Sequence, residues 1–502
     1  MKKILMVMIG IAVAVTGLSN SLTATAEELQ KLSSKQCTLI EEYVEREMKE
    51  SNIPGAAIGI VHGDEIVYTK GFGVADLKDT PVTADTPFYI GSIGKTFTAL
   101  AIRQLEGEGK LDSKALVTEY IPWFTLADGT GKQITVENLL NHTSGLSNLA
   151  GNEAYSYNDK YSIEEAVHTI NKRAKTNRSV GATYEYSNLN YVILGLIVEY
   201  RSGMSYEDYL QQKIFDPMQM DNSYASKEKA VAVGLATGYR ELYGINIPID
   251  CPYPTGQVPA GYQLSSVNDM TKYIVYFLNN GYVDGKSILP NNQLEPTEDS
   301  LKPFGGNDNY YGLEWGITND PAIHDYNRFY GFLGATSNFN SAMLLSQVHR
   351  YGIIVLVNQR GNYRKPELMS QIIGNGISDI LLHNTIPAPI ERTYNWKVFL
   401  TPLLVLFIAV ISIISCIRYP GRLETPKAWI AIVLMVIINI TAPVLLLITV
   451  PMFYDASWEY FLNNGIDIGL PTFVLCMVLL LTGVIKVLMI LSHSHRHREF
   501  PN

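Results

Sequence analysis

The stretch Tyr89-Ile90-Gly91-Ser92-Ile93-Gly94-Lys95-Thr96-Phe97 holds two side chains whose types and spacing suit nucleophilic catalysis. A Gly-rich turn runs into an apolar-periodic segment that reaches about Gln104. The pattern therefore predicts Ser92 at a helix N-terminus with Lys95 one turn on, on the same face. A hydroxyl placed there stands where backbone N–H groups converge, and an amine within hydrogen-bond reach can take or steer its proton without a histidine. Ser-x-x-Lys alone recurs by chance, and its plain reading is a capping serine with a solvated lysine. A second copy, Ser226-Lys227-Glu228-Lys229, has no apolar helix behind it.

Two further groups bear on that chemistry. Tyr186 and Asn188 lie two apart just before an apolar helix expected over Tyr191 to Tyr200, and in an extended turn they project the same way. A phenol is a general base only if its pKa falls from about 10 toward neutrality, roughly 4 kcal/mol of electrostatic help. A nearby lysine can supply it, so a catalytic Tyr186 requires Lys95 to be close; the alternative is an ordinary half-buried tyrosine. His142 lies in Ile134-Thr135-Val136-Glu137-Asn138-Leu139-Leu140-Asn141-His142-Thr143-Ser144-Gly145-Leu146, which reads as a Thr135-capped helix stopping at Gly145. It is either a base or a structural histidine at a helix end, and the pattern favours the second.

The elements that must position these residues follow from periodicity. An amphipathic helix is expected over Ser34 to Ser51, then a hairpin of Ala56 to Val61 and Glu65 to Tyr68 turned at Gly63-Asp64. The polar, Tyr- and Lys-rich segment Ala154 to Arg178 reads as a surface helix or loop. Pro259 to Ser266 leads into a helix through about Leu278, and Tyr311 to Gly316 is a strand-like aromatic run. Asn338 to Leu345 and Gly352 to Val357 form a second antiparallel pair, and a last amphipathic helix spans about Pro366 to Leu382. The fold class expected is α+β: an antiparallel sheet flanked by N- and C-terminal helices, with an inserted, mostly helical domain and a cleft between the two.

Of the 502 residues only 17% are charged and 47% are apolar, a balance that points to membrane segments. The formal charge of −9 provides no basic field for nucleic acid, and the cluster His493, His495, Arg496, His497 and Arg498 reads as a membrane-flanking tail. Lys2-Lys3, the apolar run Ile4 to Val15 and Ala24-Thr25-Ala26 have the three parts of a signal peptide over residues 1–26. Residues 27–390 then form an extracytoplasmic domain and 391–502 a membrane domain. Three apolar runs, Val398 to Ile417, Ala428 to Tyr454 and Ile468 to Ile485 (the last helix reaching about residue 490), lack Asp, Glu, Lys and Arg and are long enough to span a bilayer. Arg418, Arg422 and Lys427 set the first connecting loop inside, while Asp455, Glu459 and Asp467 set the second outside. No close Cys/His spacing suggests zinc; of Cys37, Cys251, Cys416 and Cys476, the first two could pair in an exported domain.

Taken together, Ser92-Ile93-Gly94-Lys95, the Leu-Leu-Asn-His-Thr-Ser-Gly-Leu stretch ending at Leu146, Tyr186-Ser187-Asn188, Ala260-Gly261 to Asp269 and Tyr311-Gly312-Leu313 resemble the class C β-lactamase and D-alanyl-D-alanine peptidase family of serine hydrolases. The resemblance covers roughly Glu41 to Ile380. It implies a site at the junction of sheet and helical domain, with Ser92 the acylated nucleophile, Lys95 the amine that activates it and Tyr186 the general base or acid. It further implies that Asn188 binds the substrate amide, that Gly334 and Ala335 line the substrate, and that the N–H groups of Ser92 and Ala335 form an oxyanion hole. No metal or organic cofactor is implied, and His142 belongs to a structural helix-end motif. One departure is that the family's third motif, Lys or His before a small residue and Gly, is here Phe332-Leu333-Gly334, with no cation to hold a substrate carboxylate; His324 lies upstream. The expected function is a membrane-anchored hydrolase of peptide or β-lactam-like amides, D-amino-acid peptides among them. The three C-terminal helices resemble the layout of peptidases that remove an acyl-D-asparagine prodrug group, and Phe332 leaves a catalytically silent protein that binds cell-wall fragments as the other alternative.

Overall fold

The computed structural model describes residues 31–147, 161–283, 286–289, 302–303, 309–312, 315–318, 329–346, 349–361, 364–365, 368–394, 396–417, 426–454, 458, 462 and 466–499. The signal-peptide segment and His324 lie outside them. Helix α1 (Ser34–Ser51) starts at a capping box, Ser33 with Gln36, and stops where Asn52 turns left-handed. The hairpin β1 (Gly55–His62) and β2 (Glu65–Gly73) follows, turned at Gly63 with φ +64. Helix α2 (Gly94–Gly107) then opens the helical module, whose other main member is α3 (Asn188–Ser202). A short hairpin, β3 (Tyr239–Leu242) and β4 (Ile245–Pro248), precedes α4 (Val267–Leu278).

The chain returns to the sheet through β5 (Lys302–Pro303), β6 (Asn309–Gly312), β7 (Trp315–Thr318), β8 (Phe329–Ala335), β9 (Asn340–Ser346) and β10 (Tyr351–Val357). Among the described residues the sheet order is β2-β1-β10-β9-β8-β7-β6-β5, and β11 (Gln359–Gly361) leaves it to pair with β3 in a second sheet ordered β11-β3-β4. Helix α5 (Met369–His383) closes the domain. Strand alternation divides the core in two. Ala56, Ile58, Ile60, Ile353, Val355 and Val357 face α1 and α5, whereas Ala57, Val61, Ile354 and Leu356 face α4 and the helical module. The α+β architecture with a helical insertion thus agrees with expectation.

Two local expectations are corrected, and the open question of a Cys37–Cys251 pair is answered. The helix begun at Thr135 ends at Leu140 rather than Gly145, because His142 takes a left-handed backbone, φ 53. The aromatic run Tyr311 to Gly316 is divided between two antiparallel strands, with Gly312 opposite Trp315. Cys37 and Cys251 are both free thiols.

Among the described residues two helices, not three, are long and apolar enough to cross a membrane: Ile432–Met452 and Gly469–Ile490. The first expected span lies in helix α6 (Trp396–Ile417), but its apolar stretch among the described residues, Pro402–Ser415, is shorter than a bilayer requires. The second candidate comprises α7 (Pro426–Val436), a π-turn over Ile437–Thr441 and α8 (Ala442–Tyr454), and the third is α9 (Ile466–Glu499). A buried polar cluster joins them. Asn439 Nδ2 donates to Ser412 Oγ and Thr482 Oγ1, each at 2.9 Å, and Lys486 Nζ donates to Ser415 Oγ at 2.7 Å and Asn439 Oδ1 at 3.3 Å.

Candidate active site

Ser92 sits in a single 3-10 turn, Gly91–Ile93, that feeds into α2. Gly91 has φ +55, and a Cβ on it would lie 2.3 Å from Ala335 N. Gly334 is equally constrained, since its Cβ would fall 2.0 Å from Ile90 O. Two glycines therefore let the turn and the end of β8 touch backbone to backbone, and that contact brings the Ala335 N–H alongside the Gly91-Ser92 peptide. Ser341 Oγ ties the same corner by donating to Ile90 O at 2.7 Å.

One helical turn after Ser92, Lys95 is fully buried. Its Nζ is 3.1 Å from Ser92 Oγ, donates to Asn188 Oδ1 at 2.7 Å and also donates to the Ala260 carbonyl. The Tyr186 hydroxyl lies 2.7 Å from Ser92 Oγ on the other side. Burial holds the Lys95 pKa well below the ordinary 10.5, which favours a neutral amine. Such an amine has two N–H donors and one lone pair. Asn188 Oδ1 and Ala260 O take the donors, and the lone pair is left for the Ser92 hydroxyl proton.

Tyr186 is placed by the residues beside it. The Glu185 N–H donates to His142 O at 2.8 Å, the Ser187 N–H donates to His142 Nδ1 at 3.2 Å, and Asn190 Nδ2 is 2.8 Å from the same nitrogen. Nδ1 therefore accepts, and burial, with Lys95 nearby, depresses the His142 pKa well below 6.5. A neutral imidazole thus grips the segment, its ring 4.6 Å from that of Tyr186. Ser187 then takes the N-cap position of α3, which makes Asn188 the first helical residue, and the Asn188 amide oxygen accepts from Lys95.

The structure brings Ser92, Lys95, Tyr186 and Asn188 into one constellation, with Gly334 and Ala335 along its edge. His142 supports the site from beside Tyr186. Phe332, on the same side of β8 as Gly334, is buried in the core that includes the helical module. The second Ser-x-x-Lys is structural: Ser226 precedes a short helix over Lys227–Ala232, and Lys229 pairs with Glu207 at 2.6 Å. Sequence reasoning gave no role to the Ala260 carbonyl, a backbone acceptor that no side-chain type announces. The only pointer is Gly261, where a Cβ would lie 3.3 Å from Ser92 N.

An antiparallel sheet packed on a helical module, with a Ser-x-x-Lys turn wedged between them, defines a β-lactamase-like fold. Residues 40–374 match the family described as Beta-lactamase, and the chain belongs to that family. It is 28% identical over 347 residues to Protein flp of Staphylococcus aureus (strain MW2), covering 68% of this chain and 67% of that protein. A 254-residue stretch is 30% identical to the Unguisins hydrolase ungD' of Aspergillus campestris (strain IBT 28561), 47% of this chain and 46% of that one. Among solved structures, the octameric penicillin-binding protein homologue from Pyrococcus abyssi superposes with a TM-score of 0.59 at 29% identity, over 69% of this chain and 77% of that chain. A class C β-lactamase superposes at 0.58 and 20% identity over 69% and 97%, a likeness of fold alone.

Proposed function

We propose that the chain is a membrane-anchored serine hydrolase that works through an acyl-enzyme on Ser92, on an amide of a peptide or β-lactam-like substrate outside the cytoplasmic membrane. The observation that carries this reading is the Ser92 hydroxyl held between the Tyr186 hydroxyl at 2.7 Å and the Lys95 amine at 3.1 Å. In the acylation step Ser92 Oγ bonds to the amide carbonyl carbon and its proton passes to Lys95. The carbonyl oxygen takes negative charge against the N–H groups of Ser92 and Ala335. Tyr186 then delivers its proton to the amine nitrogen as the C–N bond breaks and is reprotonated from Lys95, which restores both groups, and water later breaks the ester by the reverse path. Asn188 holds the substrate amide while it anchors Lys95.

The substrate class this reading favours is a peptide containing a D-amino acid. Phe332 favours a second reading, because an apolar side chain stands where a cation would hold a terminal carboxylate. The substrate then lacks that carboxylate, as in an acyl-D-asparagine prodrug amide, or the fold binds cell-wall fragments without turnover. Purified full-length protein offered an N-acyl-D-Ala-D-Ala peptide and an N-acyl-D-Asn amide decides among these. Cleavage of the first supports the principal reading, cleavage of the second alone supports the prodrug reading, and a gain of turnover only in Phe332→His supports the silent one.

A further inference from the structure

The β3–β4 hairpin carries an exposed apolar face that the candidate site does not use. Among the described residues β4 is an outer strand of the β11-β3-β4 sheet. Ile245 and Ile247, two apart and so on one face of it, are 67% and 39% exposed. An apolar edge strand left open to water is an aggregation hazard unless something covers it.

The hairpin's position indicates what does. Its turn rests on the end of α1: Asn52 Nδ2 donates to Gly244 O at 3.5 Å, and Asn246 Nδ2 donates to Asn52 O. The same helix end receives the chain on its way to the membrane helices. Arg392 Nε donates to Ser51 Oγ at 3.2 Å, and its guanidinium pairs with Glu47 and Glu50. Thr393–Tyr394 then pairs with Arg364–Lys365, and α6 begins at Trp396. Four residues reach at most about 14 Å, so the first membrane-domain helix starts close to the corner of the domain that carries the two isoleucines.

We propose that the β3–β4 hairpin dips into the interfacial layer of the bilayer that holds α6 to α9, with Ile245 and Ile247 as its lipid contacts. The inference rests on the membrane-anchored reading. Anchoring holds the hairpin at the lipid surface at a high effective concentration, which favours lipid over a second copy of the chain. At its other end the hairpin is tied to the turn after Ala335, where Asn338 Nδ2 donates to Ile249 O. The contact would thus fix the cleft's orientation over the lipid surface.

The test uses the full chain in phosphatidylcholine–phosphatidylglycerol vesicles, with C37S, C251A, C416A and C476A as background. An NBD fluorophore is placed at Ile245→Cys, at Ile247→Cys or, as reference, at Ile66→Cys, an exposed position on β2. The proposal expects iodide quenching at 245 and 247 at least about threefold weaker than at 66, and quenching by doxyl-labelled lipid at 245 and 247 only. Equal iodide quenching at all three positions overturns it. Protection that persists in detergent, or appears only at high protein-to-lipid ratio, assigns the edge to a second copy and also overturns it. Alkaline extraction of the same vesicles reports anchoring separately: a chain that stays with lipid while position 245 is open to iodide refutes the hairpin contact alone.

Discussion

Among single residues, Lys95 carries the largest consequence. Its folded-state pKa lies below the unfolded 10.5, so the folded chain binds fewer protons between those values and gains stability as pH rises through that window. At neutral pH its burial is therefore a cost. Lys95→Met is expected to hold or raise the melting temperature while turnover falls by about 10²- to 10⁴-fold, and calorimetry with a peptide hydrolysis assay checks both. With Lys95 as base, kcat/KM of the wild type rises with pH through the depressed lysine value, giving an acid limb well below 10.5; an acid limb that stays near 10.5 would rule the amine out. The types and spacing of Ser92, Lys95, Tyr186 and Asn188 were legible in the sequence because each is a side chain in a motif. The Ala260 acceptor was not, since a carbonyl is common to every residue and only the folded approach of Gly261 to Ser92 selects it.

The elements that meet at the site constrain each other through backbone. Gly91→Ala sets a Cβ against Ala335 N at a left-handed φ, so it is expected to cost about 1–3 kcal/mol and to separate the Ser92 and Ala335 donors. Slower acylation together with a lower melting temperature checks this; unchanged acylation would remove Ala335 from the oxyanion hole. His142 joins the Thr135 helix to α3 as a neutral acceptor. Because its folded pKa is depressed, its stabilising contribution is present above the unfolded 6.5 and is lost as pH falls toward the folded value. Thermal melts below about pH 6.5 should therefore decline in wild type and flatten in His142→Gln, whose amide oxygen accepts without charging. The helix Ser34–Ser51 was readable from its apolar periodicity. The helix end at Leu140 was misplaced because a left-handed histidine stops it before the glycine that usually marks a stop.

For the whole molecule, the polar cluster around Asn439 couples α6 to the two longer apolar helices. Gly483 makes room for it, its Cβ position being 3.0 Å from Asn439 Cβ. Asn439→Val is expected to lower the stability of the bundle by about 0.6–1.7 kcal/mol, read by detergent-induced unfolding of the full chain. Apolar run length foretold the two helices long and apolar enough to cross a membrane, but run length says nothing of a cluster assembled from Ser412, Asn439, Thr482 and Lys486 on separate segments. The same limit applies to the catalytic reading, which needs residues almost a hundred positions apart to act as one group. The most direct test is covalent labelling of the full chain in native membranes by a fluorescent β-lactam or fluorophosphonate, with the adduct located by peptide mass. A stoichiometric adduct on Ser92 is expected, acyl from the β-lactam or phosphonyl from the fluorophosphonate, absent in Ser92→Ala and slowed in Tyr186→Phe. An adduct on another residue, or equal labelling of wild type and Ser92→Ala, would contradict it.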